Sequence, residues 1–174
     1  LEMTARLREC VETPVILFSY YNPIFAYGLE PFCRDAVTAG ADGVLVVDLP
    51  PEESRELTRH FRKDDEFALI RLAAPTTPPE RMKRIVADAA GFLYLISKTG
   101  VTGSAGIDTA SVHERIRALR GITELPVCVG FGIADCACAA ALAPVADGVV
   151  IGTAFQETIE ARRTAPDLVR RIET

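Results

Sequence analysis

Tryptophan is absent from the 174 residues, and only two histidines, His60 and His113, are present. Two isolated histidines in polar stretches leave no readable Ser-His-Asp pattern and make a poor basis for acid–base work. No apolar run approaches membrane-spanning length, and no segment reads as a signal peptide. Basic clusters are missing too. The formal net charge of −5 argues against a nucleic acid or an anionic membrane as partner, so an anion would have to be held locally, by backbone groups and helix ends. The cysteines, Cys10, Cys33, Cys128, Cys136 and Cys138, are odd in number, and Cys136-Ala-Cys138 lacks the spacing of a metal pair. They read as small buried residues in a reducing cytoplasm, with no metal site expected.

What is present is a regular alternation. Apolar, β-branched runs predict strands over 13–20, 42–48, 66–72, 91–97, 125–131 and 147–153. Helical patterns follow them over 31–40, 51–63, 78–90, 108–120, 134–146 and 154–164, and the opening residues 1–12 read as a helix. Pro51 and Pro79 fall where first-turn prolines are tolerated, and Gly40 and Gly121 where helices stop. The strand runs are continuous rather than alternating, as in a parallel sheet covered on both faces. Strand–helix repeats of this kind predict an α/β fold, a barrel or an open doubly wound sheet. A complete (β/α)8 barrel needs eight strands and about 250 residues. The expectation is therefore a single domain over 1–174, an incomplete barrel that begins at the helix before the third strand, and a Leu1 inside a helix suggests a start further upstream.

In such folds function gathers at the carboxyl ends of strands. The fourth predicted strand runs into LISKTGVTGSAG, residues 95–106, whose glycines, threonines and serines exceed the needs of a plain turn. Gly132 and Gly152 each follow a strand and precede a helix, so close backbone approach and helix-end donors are available to a phosphate. Counted back from the C-terminus, their loops take the places of the seventh and eighth barrel loops, the usual phosphate site. Gly103 can add a third wall. Asp48 ends a strand, and is either a functional carboxylate or the cap of a helix starting near Pro51. Tyr20 and Tyr94 line a pocket or fill the rim.

YYNPIFAYG, DGVLVVDLPPEE, LISKTGVTG, VCVGFGI and DGVVIGTAF, in this order, together resemble the α subunit of tryptophan synthase, from about Thr13 to the C-terminus. The resemblance implies a (β/α)8 barrel, of which about six βα units lie here, that cleaves indole-3-glycerol phosphate to indole and glyceraldehyde 3-phosphate. It further implies a cytoplasmic α2β2 assembly in which a β subunit carries pyridoxal phosphate, the α chain itself holding no cofactor. Carried onto this chain, the phosphate ligands are the backbone of Gly103, Gly132 and Gly152, with Thr153 where serine is usual. Tyr20, Leu45, Tyr94 and Phe131 line the indole and glycerol pocket. Thr102 closes a mobile loop, and Lys98 stands where many members have arginine. Asn22, Pro23, Asp48 and Pro50 match the face towards the β subunit. The catalytic glutamate and aspartate are expected upstream of Leu1, so the chain alone is expected to be inactive. The other readings are a non-catalytic module binding a phosphorylated ligand or a β subunit, and another phosphate-handling barrel enzyme.

Overall fold

The computed structural model describes residues 1–62, 66–74, 76–97, 108–130, 132–133 and 135–163. Two compact units divide the chain: Leu1–Leu72 with Pro78–Leu93, and Ala73–Thr77 with Tyr94–Thr174. Strand order follows chain order throughout.

The first unit contains helix α1 (Glu2–Arg8), strand β1 (Ile16–Ser19), helices α2 (Tyr21–Tyr27) and α3 (Leu29–Thr38), strand β2 (Gly43–Val46), the short helix α4 (Arg55–Thr58), most of strand β3 (Ala68–Ala73) and helix α5 (Pro79–Ala87). β1 and β2 are parallel, pairing Ile16 with Gly43 through to Ser19 with Val46, and β2 pairs in parallel with β3 from Gly43 against Ala68. All four residues of β2 are buried, which is why its sequence is apolar on both faces. Val44, Val46, Leu57, Leu69, Ile24, Phe32 and Ala36 form one cluster, and each fully buried aliphatic side chain there contributes about 1.5–3 kcal/mol.

The second unit contains strand β4 (Leu93–Ile96) apart from its first residue, helix α6 (Thr109–Arg120), strand β5 (Val127–Gly130), helix α7 (Cys136–Leu142), strand β6 (Gly148–Val150) and helix α8 (Thr153–Ala161). β5 and β6 are parallel, with Cys128 opposite Gly148 and Gly130 opposite Val150. α6 buries Val112, Ile116 and Leu119, the spacing of one helical stripe. Its first turn is capped by Asp108, which accepts from the Ser111 N–H at 3.3 Å; Asp135 caps α7 by accepting from the Cys138 N–H at 2.8 Å.

One arrangement occurs in both units, at the amino-terminal ends of the strands. In the first, Asp42 Oδ2 accepts from the Val15 N–H at 2.7 Å and from the Arg8 guanidinium, while the Asp42 N–H donates back to the Val15 carbonyl at 2.9 Å. In the second, Asp147 Oδ2 accepts from the Val127 N–H at 2.7 Å and from Arg120, and the Asp147 N–H returns to the Val127 carbonyl at 3.0 Å. Register is the same as well: the residue after each valine pairs with the glycine after each aspartate.

All six predicted strands are present, though shorter than read. At β1 the reason is local. Thr13 gives its carbonyl to Arg8 at 3.0 Å and Val15 its N–H to Asp42, so side chains take the place of ladder bonds there. The helix expected over 51–63 contracts to α4. Glu53 and Ser54 donate three residues back, to the Pro50 and Pro51 carbonyls at 3.1 and 3.3 Å, as Leu57, His60 and Phe61 do further on, so tight turns flank a single α-helical turn. α2 was not expected, since its sequence reads as a loop.

Candidate active site

The loops that follow β1 and β2 both belong to the first unit. Tyr20 is the N-cap residue of α2, in extended conformation with φ −89° and ψ 162°, and is 61% exposed. Asn22 and Pro23 occupy the first turn of α2, both exposed, where the missing N–H of proline costs nothing because first-turn donors have no intrahelical acceptor. The first of those donors, the Tyr21 N–H, is satisfied from a distance: Asp48 Oδ1 accepts it at 2.7 Å. Asp48 therefore caps α2, and not a helix beginning near Pro51. Tyr21 adds a second tie through its hydroxyl, which donates to Glu56 Oε2 at 2.9 Å. Leu45 is fully buried in β2, Leu49 is buried, and Pro50 is half-buried beside it.

Beneath this turn lies a residue that the sequence reading passed over. Arg71, in β3, is 3% exposed. Its Nη1 points to the Leu49 carbonyl at 3.5 Å, and its Nη2 lies 3.8 Å from Asp88 Oδ2. Burial lowers the pKa of its guanidinium, against the opposing pull of Asp88 and Glu52. The available signal was a single charge inside the apolar run FALIRL.

In the second unit, Tyr94 is buried in β4, and desolvation pushes its hydroxyl pKa up to about 12. The hydroxyl fills the space beside Gly130, where a Cβ would meet it at 1.9 Å. Gly130 thus serves packing, and its carbonyl accepts from both the N–H and the hydroxyl of Ser97, each at 2.9 Å. Gly132 has φ 80°, a left-handed conformation that favours glycine. It does not open a helix directly, because Asp135 is the N-cap of α7. Gly152 does: it is the N-cap of α8, with Thr153 as the first helical residue and exposed.

Among the described residues, no side chain caps α8, its first turn carries no acidic residue, and a Cβ on Gly152 would meet nothing within 4 Å. A helix start of this kind presents N–H donors at the positive end of the helix dipole. The pairing of Gly130 with Val150 sets Gly132 and Gly152 each two residues beyond the ends of neighbouring strands. His113, by contrast, places its Nε2 3.1 Å from the Ala141 carbonyl between α6 and α7, a packing role. Lys98, Thr102, Gly103 and Phe131 lie outside the described residues.

The family model described as tryptophan synthase alpha chain matches residues 1–173. The chain belongs to the tryptophan synthase alpha chain family. It is 58% identical over 167 residues to the tryptophan synthase alpha chain of Desulfosudis oleivorans, covering 96% of this chain and 63% of that one. The alpha chain of Halorhodospira halophila is 45% identical over 172 residues, covering 98% and 63%. Among solved structures, tryptophan synthase subunit alpha from Legionella pneumophila superposes with a TM-score of 0.82 at 38% identity, covering 97% of this chain and 62% of that one. A structure of the Pyrococcus furiosus tryptophan synthase α2β2 complex gives 0.81 at 35% identity, covering 92% and 64%. The chain thus spans less than two thirds of the length of these relatives. The six strands and their helices are those of a tryptophan synthase alpha TIM barrel.

Proposed function

We propose that this chain is the phosphate-binding and partner-facing part of an enzyme that cleaves indole-3-glycerol phosphate to indole and glyceraldehyde 3-phosphate. The observation that carries the reading is the pair Gly132 and Gly152, each two residues beyond the ends of paired strands, with no described side chain capping the start of α8 or lying within 4 Å of a Cβ at Gly152. A phosphate there accepts N–H bonds from the first turn of α8 and from the Gly132 loop, with Gly103 as the third contributor and the Thr153 hydroxyl beside it. Tyr20, Leu45, Tyr94 and Phe131 form the walls around the indole and glycerol portions, and Thr102 belongs to the loop that closes over them, excluding water while the reaction proceeds.

The chemistry is a retro-aldol cleavage. Indole C3 takes a proton as the bond from it to the glycerol chain breaks, and the neighbouring hydroxyl loses a proton as it becomes the carbonyl of the aldehyde. An acid and a base group, each contributing about 10²–10⁴-fold, perform these transfers. On this reading they are the glutamate and aspartate expected upstream of Leu1. Asn22, Pro23, Asp48 and Pro50 form the face towards a β subunit that holds pyridoxal phosphate and consumes the indole. The setting is cytoplasmic; among the described residues, no helix is long and apolar enough to cross a membrane.

Indole release from indole-3-glycerol phosphate by the full-length protein is the test, run beside the 174-residue chain. The expected result is turnover by the first and none by the second. Calorimetric binding of glycerol 3-phosphate without any indole release by the full-length protein would instead make it a binding module.

A further inference from the structure

The otherwise apolar strand β3 contains one buried cation, Arg71. Arg71 is 3% exposed, and among the described residues its Nε and Nη2 have no hydrogen-bond partner. Burying a charge with unmatched donors costs free energy, and an apolar residue of similar volume commonly does as well or better in such a place. What the guanidinium does touch is specific. Nη1 reaches the Leu49 carbonyl, in the turn that carries Asp48 on one side and Pro50 on the other. Asp48 in turn holds the first N–H of α2, next to the exposed Asn22 and Pro23.

The same turn is held from α5. Glu52 accepts from Arg81 at 3.3 Å and lies 3.8 Å from Arg84. Asp88 lies 3.8 Å from the guanidinium, and its charge together with that of Glu52 favours the cationic form of Arg71 against the burial. The turn is thus gripped on its outer side by exposed ion pairs, worth little individually, and on its inner side by one buried cation. A continuous path runs from the guanidinium through the Leu49 carbonyl and the Asp48 carboxylate to the Tyr21 N–H.

We propose that Arg71 is a positioning residue: its guanidinium fixes the Leu49 carbonyl, and through it aims Asp48 and the first turn of α2 at a protein partner. The identity of that partner, the β subunit, rests on the function proposed above; the positioning does not. Arg71→Lys keeps the charge and supplies donors from a single nitrogen without the planar fork, and restores only part of the effect. Methionine fills the space and supplies none.

The experiment uses the full-length protein with Arg71→Met and Arg71→Lys, read in three ways. Hydrogen exchange is followed over residues 20–23 and 47–50, with 127–130 as the internal reference. Tm is measured alongside, as is calorimetric affinity for a β subunit. Arg71→Met is expected to keep or raise Tm, to speed exchange of the Tyr21 and Leu49 amides at least tenfold with no change at 127–130, and to weaken partner binding about tenfold. Arg71→Lys falls between it and the wild type. Unchanged exchange at Tyr21 and Leu49 overturns the proposal. So does a fall in Tm with exchange rising equally in every segment, since that marks a purely structural residue. If the wild type itself fails to bind a β subunit, the proposed function fails, and exchange alone still decides the role of Arg71.

Discussion

Replacing Gly130 by alanine puts a methyl carbon 1.9 Å from Tyr94 Oη, 2.2 Å from Cζ and 2.8 Å from Cε1. None of these distances is tolerable between non-bonded atoms, so something must move. Tyr94 is only 4% exposed, so its ring cannot swing aside without displacing other buried groups. Gly130 is no freer, since it pairs with Val150 and its carbonyl accepts two bonds from Ser97. Overpacking of this kind costs about 1–3 kcal/mol. For a chain of this length that corresponds to a fall in Tm of about 2–4 °C per kcal/mol. Thermal and urea unfolding followed by circular dichroism measure it, with an unchanged m-value expected because the surface exposed on unfolding is the same. Tyr94→Leu in the Gly130→Ala background removes the colliding atoms, so the two changes should be non-additive, with a coupling of about 1–3 kcal/mol in the double-mutant cycle. If Gly130→Ala shifts stability by less than about 0.5 kcal/mol, or the double mutant is simply additive, the argument that Tyr94 dictates the glycine is wrong.

Asp147→Ala strands the fully buried Val127 N–H and frees Arg120, for an expected loss of about 1–3 kcal/mol at neutral pH. Bonding to that N–H holds the Asp147 carboxyl below its ordinary range. Its stabilisation is therefore present above the usual carboxylate pKa and lost as pH falls through the lowered one, so wild-type and variant unfolding curves should converge in strong acid. Gly152→Ala meets no neighbour among the described residues and should leave Tm nearly unchanged while weakening glycerol 3-phosphate binding at least tenfold by calorimetry; equal binding would remove Gly152 from the phosphate site. Thiol titration of the native protein at pH 8 should modify the exposed Cys10 and Cys136 first and leave Cys33 intact, since Cys33 is buried and its thiol is pushed up to about 11.

The strands were legible because burial on both faces writes itself into a chain as uninterrupted apolar residues, as Val44 to Val46 show. Their ends were not, because ladder bonds give way to side-chain bonds from residues far along the chain, such as Arg8 and Asp42 at β1. α2 escaped notice for a related reason. Its sequence, YNPIFAY, offers no local cap, and the acceptor that completes its first turn is Asp48, on another loop. Glycines were easy to find and harder to interpret. Gly130 answers to the Tyr94 ring, Gly132 to its own backbone, and a Cβ added at Gly152 meets nothing within 4 Å among the described residues. Arg71 announced itself as a charge among apolar neighbours, but its acceptor is a backbone carbonyl, which no side-chain pattern reveals.

The paired arginine and aspartate that fasten the starts of β1 with β2 and of β5 with β6 bear on how this chain tolerates change. The same residue interval separates Arg8 from Val15 and Arg120 from Val127, and the same Asp-Gly-Val opens both second strands. Each fastening works at the foot of its strands, while the loops at the other end differ: Asp48 and two prolines in one unit, glycines at 132 and 152 in the other. The feet hold strand register, so the crown is free of that duty. A loop exchanged at the crown leaves every one of these fastening bonds intact, whereas one charge reversed at Asp42 or Asp147 loosens two strands at once and disturbs whatever the loops above them hold.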